Sequence, residues 1–203
     1  MYESHMTVLC DGDELRELQR WAERRRGVKF THIQLARGLT ASQPMLTLRG
    51  TRSSYAEEVS AVRKAAESLA GRGFEVARVK VECAPWAVEV PRTDADAAEE
   101  AGTRHFEHHV KLLLDPSYDP EALIATAVRH RAHVSWNARR HHPDGHEERF
   151  LTQRCHGVGA GSAELALHAL LADLRAYEVV EVEQEYVLLD SGPRLDEGWL
   201  EPI

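Results

Sequence analysis

The order of apolar and turn-forming segments restricts this chain most, because it reads β-α-β-β-α-β twice in succession. In the first pass, an apolar run from Met6 to Cys10 precedes an acidic turn at Asp11-Gly12-Asp13. Leu15, Leu18, Trp21 and Ala22 then recur at helical spacing, with Asp13 as N-cap and Gly27 as stop. His32 to Ala36 and Met45 to Arg49 alternate around a loop with Gly38, Ser42 and Pro44, which predicts a hairpin. Ser53 or Ser54 opens a long helix whose Ala56, Val59, Val62, Ala66 and Leu69 form one stripe, and Phe74 to Cys83 returns as a strand.

The second pass places a strand at Phe106 to Leu114 and, past Pro116 and Pro120, a helix carrying Leu123, Ile124, Ala127 and Val128. His133 to Ala138 and Phe150 to Cys155 flank a turn at His142-Pro143-Asp144-Gly145. Gly157, Gly159 and Gly161 lead into a leucine-rich helix, and Tyr177 to Leu189 closes the pass as a strand. Residue echoes accompany the order: Ala36-Arg37 with Ala138-Arg139, and Leu46-Thr47-Leu48-Arg49 with Leu151-Thr152-Gln153-Arg154. Matching Ile33 and Leu35 to Val134 and Trp136 instead shifts the second strands by one residue, which would change the sheet face.

The expectation is therefore an α+β protein built by tandem duplication of a ferredoxin-like unit, with antiparallel sheets and helices on one face. The first unit spans 2–90 and an acidic linker 91–104, with Asp94, Asp96, Glu99 and Glu100 among alanines. The second unit spans 105–190, and a tail, 191–203, carries Leu195, Trp199 and Leu200, apolar enough to dock on the body.

Composition narrows the function classes. A net charge of −8 over 203 residues argues against broad nucleic-acid binding, which needs concentrated positive surface. No apolar run reaches the ~20 residues of a membrane-spanning helix, and the amino terminus shows no basic region followed by an apolar core. The three cysteines, Cys10, Cys83 and Cys155, form no Cys-x-x-Cys pair and read as buried thiols of a reduced, cytoplasmic protein.

Candidate chemistry lies on the sheet face away from the helices. Period-two reading of the second half puts Glu107, His109 and Lys111 there, with His133, Ser135, Asn137 and Arg139 from the next strand. Thr152, Arg154 and His156 follow, then Glu181, Glu183 and Glu185. Glutamates and histidines of this array suit a divalent metal, with Glu107, His109 and Glu183 as the candidate ligands, while Lys111 with Arg139 or Arg154 suits a phosphate oxygen. The competing reading is cross-strand pairing that merely stabilises an exposed sheet. Backbone donors of the Gly157 to Gly161 segment, ahead of a helix, could cradle an anion.

Glu107-His-His109-Val-Lys111 on a strand, followed by Arg139-Arg140 and Phe150-Leu151-Thr152-Gln153-Arg154, resembles the CYTH family of triphosphate-tunnel phosphohydrolases. The resemblance implies metal-dependent cleavage of triphosphates, with Glu107 as a metal ligand and Lys111 and Arg154 as phosphate contacts. His109 stands where that family carries a second glutamate.

These readings make the chain a binding or interaction module acting through its polar open sheet face. The alternative is a metal-dependent phosphohydrolase acting on a phosphate or triphosphate compound. The expected cofactor is a divalent metal, and the expected partner a small anionic ligand or a protein, with a homo-oligomer compatible. Periodicity leaves open whether the two polar faces enclose a cavity, form one surface or cover each other.

Overall fold

The computed structural model describes residues 2–49, 52–99, 102 and 104–198. Glu100 of the linker and Trp199 and Leu200 of the tail lie outside the described residues. The first half comprises β1 (Tyr2–Leu9), α1 (Gly12–Glu23), β2 (Val28–Leu35), β3 (Ser42–Arg49), α2 (Tyr55–Ala70) and β4 (Glu75–Cys83). A short helix α3 (Asp94–Glu99) leads to the second half: β5 (His105–Leu114), α4 (Pro120–Arg129), β6 (Ala132–Asn137), β7 (Glu147–His156), α5 (Ala160–Asp173) and β8 (Glu178–Asp190). A 3-10 turn, Pro193–Asp196, follows.

The strands do not form two separate open sheets. They close into one barrel, in the order β1-β3-β2-β6-β7-β5-β8-β4, with antiparallel pairing throughout. This corrects the expectation of tandem ferredoxin-like units. The physical reason is edge pairing: an isolated four-stranded sheet leaves two rows of unpaired backbone groups, and closure removes most of them. Two short seams make the closure, Ile33 to Leu35 against Asn137 to Ser135, and Lys80 to Cys83 against Asp190 to Tyr186.

Closure puts the helices outside and the polar strand faces inside. Leu18, Trp21 and Ala22 of α1 and Val62 and Leu69 of α2 pack on Met6, Val8, Leu46 and Leu48. Leu123 and Ala127 of α4 and Leu167 and Leu170 of α5 pack on Val110, Leu112, Val134 and Leu151. The alternate residues of those strands therefore line the lumen.

One strand reverses its expected face. Gln34 is the partner of Trp136 and Leu35 of Ser135, so Ile33 and Leu35 share a side with the polar residues of β6. Phe30 and Val28 face the helices in their place. The register is fixed by two reciprocal bonds, Ala36 N–H to the Val134 carbonyl and Ala138 N–H to the His32 carbonyl, both 2.8 Å. The Ala-Arg echo, and not the apolar match, gives this alignment.

The linker and tail both contact the barrel. Asp94 accepts from Gly159 N–H at 2.8 Å and from Ser162 Oγ at 3.0 Å, so α3 satisfies the start of α5. The glycine segment proposed as an anion cradle thus receives a carboxylate from its own chain. Asp196, buried in the tail, accepts from Arg78 Nη1 and Arg154 Nη1, each at 2.8 Å.

Candidate functional site in the barrel lumen

The lumen is built from strand residues that adjacent registers force to the same side. On β1, Glu3 lies between Arg49 of β3 and Glu82 of β4, and His5 between Thr47 and Lys80. On β5, Glu107 lies between Arg154 of β7 and Glu185 of β8, and His109 between Thr152 and Glu183. The two neighbourhoods correspond residue for residue, with one exchange: Lys80 in one, Glu183 in the other.

The side-chain contacts repeat as well. His5 Nδ1 is 3.0 Å from Thr47 Oγ1, and His109 Nδ1 is 2.9 Å from Thr152 Oγ1. Arg49 Nε donates to Glu3 at 2.6 Å, and Arg154 Nε to Glu107 at 2.7 Å. The threonine contact holds each ring so that Nε2 points at carboxylates. His5 Nε2 is 2.8 Å from Glu82 Oε2, and His109 Nε2 is 3.3 Å from Glu185 Oε2.

Between these groups sits Lys80, its Nζ 2.5 Å from Glu82 and 2.6 Å from Glu107. Both carboxylates are almost wholly buried, at 2% and 1% exposure. Burial alone would raise their pKa values, but Lys80 overrides it, aided by His5 at Glu82 and Arg154 at Glu107, and both stay well below the usual carboxylate range. Burial lowers the basicity of both rings, yet His5 ends raised by Glu82 and His109 raised by Glu185. Glu185 itself is pushed up, first by burial and then by the neighbouring Glu82 charge.

Among the described residues, one group of candidate metal-ligand atoms converges beside this network. Glu3, His5 and Glu185 each offer an atom within 4.8 Å of the other two, and all three are half-buried. Two carboxylates and an imidazole form a donor set suited to a divalent cation. The residues come from β1 and β8, strands at opposite ends of the sequence that closure brings together on either side of β4.

The sequence-derived candidates distribute unevenly around this cluster. Glu107, His109, Arg154 and Glu185 are in it. Glu183 is exposed and stands opposite His109 without joining the three-atom group, and Glu181, also exposed, lies opposite Lys111. Lys111 pairs with Glu148 at 3.2 Å. His156 stacks on His105 with ring centroids 4.3 Å apart, its pKa pushed down to about 4 by burial and then by His105. Arg139 lies past the end of β6, where it bonds Gln19 and overlies the Phe30 ring. The lumen therefore does not gather Lys111, Arg139 and Arg154 around one phosphate.

Alternation in the first half also puts Thr47 and Arg49 on the open face, with Arg78, Lys80 and Glu82 from its last strand, but it does not reach Glu3 and His5. The signal was present: Tyr2-Glu3-Ser4-His5-Met6 and Phe106-Glu107-His108-His109-Val110 share an aromatic-Glu-x-His-apolar pattern. A separate cleft of about 520 Å³ on the outside is lined by Arg20, Arg24, Arg25 and Arg72 with Trp21 and Phe74. Three of its four arginines are exposed and keep their hydration, whereas the lumen carboxylates have lost most of theirs.

No family model matches the chain, and no curated protein matches it. Among solved structures, the small subunit of acetolactate synthase from Thermotoga maritima is similar at 14% identity, over 93% of this chain and 94% of that one, with a TM-score of 0.31. Chlorite dismutase from Candidatus Nitrospira defluvii, in complex with imidazole, is similar at 13% identity over 93% and 91%, with a TM-score of 0.31. The siroheme decarboxylase NirDL, in co-complex with an iron-uroporphyrin III analogue, is similar at 11% over 98% and 75%, with a TM-score of 0.28. With no family model matching, and with Lys111 paired to Glu148 while Arg154 pairs with Glu107, the CYTH resemblance of the Glu107 to Arg154 segment does not hold.

Proposed function

We propose that this chain is a cation-binding module that holds one divalent first-row metal ion in the barrel lumen through Glu3, His5 and Glu185. The convergence of their three ligand atoms within 4.8 Å carries the reading. Metal–ligand bonds of roughly 2.0–2.2 Å require the three to draw together slightly, and half-buried side chains on strands permit that small movement. Thr47 supports the imidazole by accepting from Nδ1–H, which presents the Nε2 lone pair. Arg49 orients Glu3 from the far oxygen. Coordination positions left open on the ion would accept a small anionic ligand.

Thermal denaturation of the full chain with manganese, zinc or magnesium chloride tests this. Specific binding to the native state stabilises it by about 2.7 kcal/mol at a hundredfold excess over Kd. A rise in Tm that disappears in a His5→Gln, Glu185→Gln double variant is expected. Absence of any rise with all three cations overturns the proposal.

A further inference from the structure

The correspondence between β1 and β5 assigns a partner to every member of the proposed metal set. Glu3 corresponds to Glu107 and His5 to His109, by their shared places between flanking strands. Glu185, beside Glu107, corresponds to Glu82, beside Glu3. The counterpart of Glu3, His5 and Glu185 is thus Glu107, His109 and Glu82. His109 Nε2 lies 3.5 Å from Glu107 Oε2, so an imidazole and a carboxylate already meet there.

A cation is already present in that counterpart. Lys80 Nζ bridges Glu82 and Glu107 at 2.5 and 2.6 Å. The Glu82 oxygens meet Lys80 and His5 at ion-pair distance but lack full hydrogen-bond geometry, although the side chain is 2% exposed. Such a carboxylate is neutralised by charge more than by directed bonds, as it would be by a spherical ion. The residue corresponding to Lys80 is Glu183, which extends no ammonium towards Glu3 and Glu185.

We propose that the lumen contains two corresponding cation positions, and that the Lys80 ammonium permanently fills one, limiting the chain to a single metal ion. This rests on the proposed metal site, and it identifies the pair Lys80 and Glu183 as what decides the stoichiometry.

Manganese binding to the full chain, counted by equilibrium dialysis with manganese chloride alone, tests it in three proteins. The wild type should bind one ion. Lys80→Ala should bind two, with a Tm below wild type in chelator and a larger manganese-induced rise. Glu183→Lys, at an exposed position, should fold normally and bind none, because the new ammonium reaches Glu185 and Glu3 as Lys80 reaches Glu82 and Glu107. One ion on both the wild type and Lys80→Ala overturns the proposal, as does one ion on Glu183→Lys. Failure of Lys80→Ala to fold even with manganese present also overturns it, since the ion has not replaced the ammonium. No binding to wild type but one ion on Lys80→Ala refutes only the Glu3, His5 and Glu185 site. No binding to either protein refutes both.

Discussion

His5 and His109 stand at corresponding places on β1 and β5, each ring anchored through Nδ1 to a threonine hydroxyl, at 3.0 and 2.9 Å. Each turns Nε2 towards glutamate, and both have raised pKa values because Glu82 and Glu185 outweigh the effect of burial. A metal ion and a proton therefore compete for His5 Nε2. Affinity for manganese should rise with pH from below 6.5 through the raised pKa of His5, and then level off. Calorimetric titration from pH 5.5 to 8.5 checks this, and a flat profile would remove His5 from the ligand set.

The same two shifts fix the sign of a stability change in the metal-free protein. A histidine with a raised folded pKa contributes stability that is fully present below its unfolded value near 6.5. That contribution fades as pH rises through the folded value. Urea midpoints in chelator should decline over this window, and the decline should shrink in a His5→Gln, His109→Gln variant.

Glu107 should be far more costly to neutralise than Glu183. Its carboxylate is 1% exposed and meets Lys80, Arg154 and His105 at 2.6 to 2.9 Å. Glu107→Gln leaves buried cations without their shared counter-charge, a loss of about 3–5 kcal/mol. Glu183 is exposed, and Glu183→Gln should stay within about 0.5 kcal/mol of wild type. Urea denaturation separates the two, and equal effects would contradict the burial of the network.

How far the sequence could anticipate this follows from where each signal lies. The polar faces of β5, β7 and β8 were legible because strict alternation carries one face at a time. Closure was not, because its seams comprise short runs such as Ile33 to Leu35 against Asn137 to Ser135, with no local signature. Ile33 and Leu35 misled because apolar residues on a strand were assumed to seek helices, while here they pack inside near the seam. Glu3 and His5 were missed because β1 was read from Met6, where the apolar run begins, although the strand starts at Tyr2. Alternation weights the array of charge towards the second half, with Lys80 and Glu82 as a lesser set in the first. What alternation does not give is that the two halves share one lumen, since only a closed barrel brings Lys80 to Glu107.

Acid should weaken the barrel through His133. Its ring is buried, and burial followed by the Arg154 charge holds its pKa well below 6.5. A base kept neutral in the fold binds fewer protons than the unfolded chain, so stability is lost as pH falls below about 6.5. His133→Gln should remove part of that slope while leaving the midpoint at pH 8 nearly unchanged. A slope identical to wild type below pH 6.5 would exclude His133 as a source.

The linker's contact with α5 makes the last prediction. A Cβ on Gly159 would lie 2.4 Å from the Thr93 carbonyl carbon and 2.6 Å from its Cα, both backbone atoms that cannot rotate aside. Gly159→Ala must therefore push α3 away from the start of α5, separating Asp94 from the Gly159 N–H it caps. The expected cost is about 1–3 kcal/mol, as for other overpacked contacts. Gly161 tests the cause, because a Cβ there meets nothing within 4 Å. Gly161→Ala lies inside α5 and should stabilise by about 0.5–1 kcal/mol through helix propensity. Opposite signs for two alanines placed two residues apart, read from urea midpoints, would establish that α3 is packed against the barrel in solution. Equal signs would mean that it is not.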